Sequence, residues 1–306
     1  MVRPKSGVCV ADHHRGGVGD DAVTVTSARR HWATEFRAHN IESPELDARL
    51  LVGHALGLDH AALAAAGART LDSKEISALA ALAHRRLLHE PIARILGRRE
   101  FWSLSLGIDA TTLVPRPESE IIVEAALAAI DARRARERPL RILDLGTGCG
   151  ALLLALLSEL PNAFGVGTDM SIAALRMARE NARRHQLWRA AFVACDLAAS
   201  CGGTFDIIVS NPPYIATADI ANLAPEVRDF DPHQALDGGP DGLDFYRAIA
   251  ASVPALLADD GVLIVELVAG RSNRVAAMFN VAGLAPPALR PDLSGVPRAL
   301  IVENRA

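Results

Sequence analysis

Arg141-Ile142-Leu143-Asp144-Leu145-Gly146-Thr147-Gly148-Cys149-Gly150-Ala151 is the stretch whose reading decides how this chain folds. The apolar run over Arg141-Asp144 reads as a buried strand. The three glycines allow a tight turn and let a ligand approach the backbone, and Ala151-Leu160 continues as a helix. Working outward, further strands are expected near Phe164-Thr168, Ala191-Ala194, Phe205-Ser210 and Val262-Glu266, with a weak one around Ala285-Leu289 and a last one at Leu300-Glu303. Helical segments separate them. Such alternation predicts an α/β fold built on a mostly parallel sheet with helices on both faces.

The glycine loop alone leaves two ligands open. Gly146, Gly148 and Ala151 satisfy the G-x-G-x-x-G/A dinucleotide pattern, and Asp169 lies where a ribose-binding acid belongs, so a nicotinamide dehydrogenase competes. Asp144, at the strand end beside the loop, would repel a pyrophosphate but suits a ligand carrying an ammonium and a sulfonium, which is S-adenosylmethionine. In the simpler reading Asp144 only caps the turn. Asp169 ends the second strand and can accept hydrogen bonds from both ribose hydroxyls, and Asp196 follows the third strand near the expected place of an adenine ring.

The fourth strand leads into Asn211-Pro212-Pro213-Tyr214, at the sheet end where α/β enzymes bind ligands. As a clamp for a planar amide or amine, Asn211 accepts from a substrate NH2 through its side-chain oxygen. The Pro212 carbonyl accepts the second hydrogen, and Tyr214 covers a face of the flat group. A strand-ending turn is the bland alternative. Hydride transfer has no need of an amide clamp; methyl transfer to nitrogen has. An amide lone pair is delocalised, so the nitrogen must be held in line with the methyl-sulfur bond. Acceptors on its hydrogens stabilise the positive charge that grows on it. The motif contains no strong base, in keeping with a nitrogen that becomes acidic as it is methylated.

Composition sets the outer limits. The chain has 306 residues, half of them apolar, and a formal net charge of −4. That length suggests two domains. No apolar stretch approaches a membrane span and the opening residues lack the apolar block of a signal peptide, so a cytoplasmic protein without membrane association is expected. The charge carries no global basic footprint, which argues against stable nucleic-acid binding. Cys9, Cys149, Cys195 and Cys201 form no C-x-x-C pair and read as reduced thiols. His84 and His89 are spaced off one helical face, and no metal ligands are expected among the histidines.

Residues 1–25, rich in glycine and charge, read as a disordered extension. Residues 26–98 read as a helical domain: Leu46, Leu50 and Leu51 recur at helical spacing, as do Ile76, Leu79, Leu82 and Leu87, and Ser43-Pro44 supplies a cap and a first-turn proline. Residues 99–117 read as a β-hairpin linker, with Phe101-Ile108 paired to Thr111-Val114. A helix from Glu118 to about Arg136 then opens the core domain, 118–306.

With these segments in view the chain resembles the HemK/PrmC family of glutamine methyltransferases that modify peptide chain release factors. The likeness rests on Ile41-Glu42-Ser43-Pro44-Glu45-Leu46-Asp47-Ala48-Arg49-Leu50-Leu51, on Glu90-Pro91-Ile92-Ala93-Arg94-Ile95-Leu96-Gly97 with Glu100-Phe101-Trp102, and on Val114-Pro115-Arg116-Pro117-Glu118-Ser119-Glu120. The glycine loop, Asn211 to Ile215, Ala235 to Leu243, and Tyr246-Arg247 match as well. The resemblance implies a class I (Rossmann-like) S-adenosylmethionine-dependent methyltransferase core, an N-terminal helical domain that recognises the protein substrate, and a hairpin linker. Its acceptor would be the glutamine of the Gly-Gly-Gln loop of release factors and its by-product S-adenosylhomocysteine. Separately from the resemblance, a monomer is expected. Carried over by position, Gly146, Thr147, Gly148, Cys149, Gly150, Asp169, Leu197 and Asn211 would bind cofactor. Asn211, Pro212, Pro213 and Tyr214 would hold the glutamine, with Asn211, Pro212 and Tyr214 at the chemistry. The chain departs from the family pattern at Cys149, Leu197, Val268 and Arg271. Asn-Pro-Pro-Tyr also occurs in adenine-N6 DNA methyltransferases, so DNA, a ribosomal-protein glutamine, or a non-catalytic release-factor or ribosome-binding module are the alternatives.

Overall fold

The computed structural model describes residues 22–268, 270–292 and 294–304. The extension expected at 1–25 lies outside the described residues as far as residue 21. The chain divides into two compact units, before and after the Ala83/His84 bond.

The first unit is helical. Its first helix, α1 (Val25–Ala38), begins earlier than the Ser27 expected from apolar spacing, because Thr24 and Ser27 form a reciprocal cap. Thr24 Oγ1 accepts from the Ser27 amide at 3.2 Å, and Ser27 Oγ accepts from the Thr24 amide at 2.8 Å. Helix α2 (Pro44–Leu56) starts at the proline, although the Ser43 side chain makes no capping bond. It ends at Gly57 in the left-handed region. After α3 (His60–Ala65), α4 (Ser73–Leu87) carries the chain across the division. Val25, Phe36, Leu51, Val52 and Leu63 are buried within this unit.

The second unit starts earlier in sequence than the 98/99 boundary drawn from the change of apolar spacing, and ion pairs supply the reason. Arg86 Nη2 donates to Glu226 at 2.7 Å, and Arg94 and Arg116 donate to the two oxygens of the buried Asp231 carboxylate at 2.7 and 2.6 Å. A buried carboxylate is tolerated when both oxygens are paired, and these pairs tie residues 86–94 to the loop after the fourth core strand.

The hairpin forms one turn earlier than its alternating pattern implied. After α5 (Ile92–Leu96), β1 (Arg98–Phe101) pairs antiparallel with β2 (Leu104–Gly107), and the turn is Trp102-Ser103 with φ of 49° and 59°. Two consecutive left-handed residues make the kind of turn that matches the twist of a two-stranded ribbon. Trp102 is held there by Glu120, which accepts from its amide, and Glu159, which accepts from its indole, each at 2.9 Å. Thr111-Val114 is not a strand. The helix expected over 118–136 is a 3-10 turn at Pro117–Ser119 followed by α6 (Glu120–Ala132).

The core comprises β3 (Arg141–Leu145), α7 (Ala151–Glu159), β4 (Phe164–Asp169), α8 (Ile172–Arg184), β5 (Ala190–Ala194), β6 (Phe205–Ser210), α9 (Pro225–Arg228), α10 (Asp244–Ser252), β7 (Leu257–Glu266), α11 (Ser272–Val281), β8 (Ala288–Pro291) and β9 (Pro297–Glu303). The sheet runs β5-β4-β3-β6-β7-β9-β8, parallel up to β7, with β9 antiparallel to both β7 and β8. Successive residues of β3 face opposite sides. Ile142 packs with Ile122, Leu153 and Ala178 of α6, α7 and α8, whereas Leu143 and Leu145 pack with Tyr246 and Ile249 of α10 and Phe279 of α11. From β3 the chain winds one way to β4 and β5, then returns to place β6 on the other side. The crevice beyond the carboxyl ends of β3 and β6 is therefore the topological switch point, where such sheets bind ligands. Among the described residues no helix is long and apolar enough to cross a membrane.

Candidate active site

At the end of β3 the loop turns through Gly146 and Gly148 at φ of 72° and 55°, and a Cβ on either would meet nothing within 4 Å. Their exposed side faces a cavity lined by Asp144, Asp169, Met170, Leu197 and Asn211 among others. The Thr147 amide donates to the Thr168 carbonyl at 2.8 Å, which presses the loop onto β4. Cys149 is buried, and burial pushes its thiol up to about 12; it contributes to the loop through its backbone, not as a nucleophile.

Asn181 secures that backbone and had no signal in the sequence. Fully buried, it donates to the Cys149 carbonyl at 2.9 Å and to the Gly107 carbonyl at 3.0 Å, and accepts from the Gly107 amide at 2.7 Å. One side chain thus joins the hairpin to the glycine loop. Asn181→Ala strands three buried backbone groups and is expected to cost about 2–4 kcal/mol of stability, read as a lower midpoint in urea unfolding.

Asp144 takes the capping role of the simpler reading and leaves one oxygen over. Its Oδ2 accepts from the Thr147 hydroxyl at 2.6 Å and from the Leu153 amide at 3.3 Å, capping the turn, while its buried Oδ1 has no partner. An unpaired carboxylate oxygen at the cavity wall fits a cationic ligand. Burial, opposed by the Thr147 bond, raises the Asp144 carboxyl to about 7. The folded state therefore binds this proton more tightly than the unfolded state. The stabilisation is complete below the ordinary aspartate range near pH 4 and is lost as pH rises through about 7. Asp144→Asn is accordingly expected to raise stability at pH 8.5 by about 1–3 kcal/mol, with a gain roughly a third as large at pH 5, and to weaken S-adenosylhomocysteine binding. Urea unfolding at the two pH values and calorimetry check the pair.

Asp169 ends β4 with its carboxylate already placed: Oδ2 accepts from the Gly148 amide at 3.0 Å and Oδ1 from the Ser171 amide at 2.8 Å. Leu197 also lines the cavity and takes φ of 44°, an uncommon backbone for leucine. Met170 lies on the same wall with 59% of its surface exposed. Sequence reasoning passed over it; the available signal was a large apolar residue directly after a strand-end acid.

Asn211 opens onto two cavities. One is that of the glycine loop; the other is lined by Pro212, Tyr214, Arg116, Leu113 and Val268. Pro213 lines the glycine-loop cavity rather than the second one. Burial pushes the Tyr214 phenol up to about 12. The backbone after the tetrapeptide is pinned by a parallel bridge between Ile215 and Asp237, and a Cβ on Gly238 would come within 2.8 Å of the Pro213 carbonyl oxygen. Glycine is needed at 238 for that approach, which explains why Ala235 to Leu243 accompanies the clamp. Arg271 donates to the Asp241 carbonyl in the same turn. On the inner side, Asn211 Nδ2 donates to Ser119 Oγ at 3.2 Å, and the Ser119 hydroxyl donates to Glu266 Oε2. Glu266 is 5% exposed, and burial, opposed by the Ser119 bond, raises its carboxyl to about 7.

Comparison with known proteins supplies the family. Residues 27–97 match the PrmC N-terminal domain and residues 125–226 the methyltransferase small domain. The release factor glutamine methyltransferase of Bradyrhizobium diazoefficiens is 50% identical over 281 residues, covering 90% of this chain and 94% of that one. This chain belongs to the release factor glutamine methyltransferase family. The family member of Rhodospirillum rubrum is likewise 50% identical, over 275 residues, 90% of this chain and 83% of its own. Among solved structures, the catalytic domain of hMettl16 superposes with a TM-score of 0.54 at 15% identity, over 73% of this chain and 81% of that domain, a likeness of fold alone. The α/β core is thus a class I methyltransferase fold, and the dehydrogenase reading of the glycine loop falls away.

Proposed function

We propose that this chain transfers the methyl group of S-adenosylmethionine to the side-chain amide nitrogen of the glutamine in the Gly-Gly-Gln motif of peptide chain release factors. The observation that carries the reading is Asn211, the first residue beyond β6, shared by a loop-lined cavity and a second cavity walled by Pro212 and Tyr214. When bound, S-adenosylmethionine supplies an electrophilic methyl on a positively charged sulfur. The backbone of Gly146, Thr147, Gly148, Cys149 and Gly150 would hold it, with Asp169 on the ribose hydroxyls, Leu197 and Met170 beside the base, and the unpaired Asp144 oxygen toward the ammonium.

For the acceptor, Asn211 Oδ1 and the Pro212 carbonyl take one amide hydrogen each; among the described residues no backbone group donates to that carbonyl. Tyr214 lies against the flat amide, and Pro213 stiffens the turn from the cofactor side. Holding both hydrogens orients the nitrogen and offsets the positive charge it acquires as the carbon-nitrogen bond forms and the carbon-sulfur electron pair stays on sulfur. The nitrogen then sheds a proton to water. With its phenol raised to about 12, Tyr214 stays neutral near pH 7 and acts through its ring, not as a base. The helical segment before the core would recognise the protein substrate, with the hairpin as linker.

Mass spectrometry of release factors incubated with the protein and S-adenosylmethionine, with a ribosomal-protein mixture in parallel, tests this. One added methyl on the Gly-Gly-Gln peptide is expected. A methyl only on a ribosomal protein would keep the chemistry and overturn the substrate.

A further inference from the structure

We infer that Ser119 and Glu266 are positioning residues that set the polarity of Asn211, turning its carbonyl oxygen rather than its NH2 toward the acceptor amide. The inference rests on the proposed role of Asn211. The two ends of an asparagine amide are nearly equal in shape, so packing alone does not choose between them. The wrong choice would aim a donor at the substrate's own N–H groups. What chooses is the partner. The Ser119 hydroxyl has one hydrogen, and an ionised Glu266, which only accepts, claims it. Toward Asn211 the serine then offers lone pairs alone, and Asn211 Nδ2 fills them at 3.2 Å.

A serine by itself would satisfy either end of the amide, because it both donates and accepts. The carboxylate removes that degeneracy, which gives a physical reason for an acid 5% exposed at the end of β7 to stand behind the site. The two partners reach Asn211 from elements far apart in sequence, the start of α6 and the end of β7, the latter parallel to β6. Tyr246 of α10 donates to the Glu266 carbonyl at 2.8 Å and steadies that strand end.

The relay has a sign that depends on protonation. Arg298 of β9 and Arg116 of the loop before α6 favour the charged carboxylate; Glu118 of that loop opposes it, and Tyr214 and Tyr246 interact with it from the loop after β6 and from α10. Once protonated, Glu266 can donate to Ser119, Ser119 can donate to Asn211, and the amide turns over. Turnover is therefore expected to fall as pH drops through the titration of Glu266.

The test combines kinetics with a spectrum that needs no acceptor. Ser119→Ala is expected to lower kcat about 10–100-fold with unchanged S-adenosylhomocysteine affinity, which also reports an intact fold. Glu266→Gln should abolish the acid limb of the kcat profile. In protein labelled with 15N-asparagine, the Asn211 side-chain NH2 signals, assigned by their loss in Asn211→Ala, should shift between pH 6 and 8 in the parent and not in Ser119→Ala. Wild-type kcat in Ser119→Ala, or Asn211 signals indifferent to pH, overturns the relay. Methylation by the parent protein tests the proposed reaction separately, since the spectrum is recorded without a substrate.

Discussion

Asn211→Ala is expected to reduce methyl transfer by about a thousandfold or more while S-adenosylhomocysteine still binds. Two losses combine. Removing Oδ1 takes away an acceptor whose hydrogen bond strengthens as the attacking nitrogen becomes positive. The remaining Pro212 carbonyl holds only one hydrogen, so the nitrogen is free to rotate out of line. The cofactor keeps the glycine loop, Asp169 and the Asp144 cap, none of which donates to or accepts from Asn211. Single-turnover incorporation of labelled methyl, beside calorimetry with S-adenosylhomocysteine, separates the two functions. Equal losses in both would mean that Asn211 is a cofactor ligand rather than the acceptor clamp.

Asp169→Ala is expected to act in the opposite way, weakening S-adenosylhomocysteine binding by about 2–4 kcal/mol, or roughly 30- to 1000-fold. The Asp169 carboxylate is held before any ligand arrives, by the amides of Gly148 and Ser171 at 3.0 and 2.8 Å, so little ordering is left to offset its bonds to the ribose hydroxyls. Its loss also frees the Gly148 amide and loosens the loop. Turnover at saturating methyl donor should recover much of its rate, because the acceptor clamp is untouched. A ligand-induced shift of the unfolding temperature equal to that of the parent would remove Asp169 from the site.

Much of this was legible in the chain. The strand, glycine loop and helix at Arg141 to Leu160 announce themselves through composition, since a buried parallel strand must be apolar and a tight ligand-facing turn must be glycine. Asp169 and Asn211 were legible for the same reason: each directly follows or ends such a strand. The hairpin was not. Phe101 to Ile108 alternates like one strand, yet Glu120 and Glu159 hold Trp102 in a left-handed turn inside it. The start of α1 was missed by two residues because its cap is a pair of hydroxyls rather than an apolar period. Asn181 and Glu266 were invisible as site residues, since a polar residue in a helix or at a strand end reads as ordinary until its partners are known.

The sequence by itself determined the α/β class, the order of the core strands along the chain, the carboxylates and amide at their ends, and, through the segments before the core, the family. Those features are local, and short-range rules of periodicity and turn chemistry suffice for them. Tertiary structure alone decided that Ser119 and Glu266, 147 residues apart, meet behind Asn211, that Asn181 ties the hairpin to the glycine loop, and that one Asp144 oxygen caps a turn while the other is buried without a partner. A buried polar group is defined by the partners that satisfy it, and only the folded chain brings them within hydrogen-bond reach.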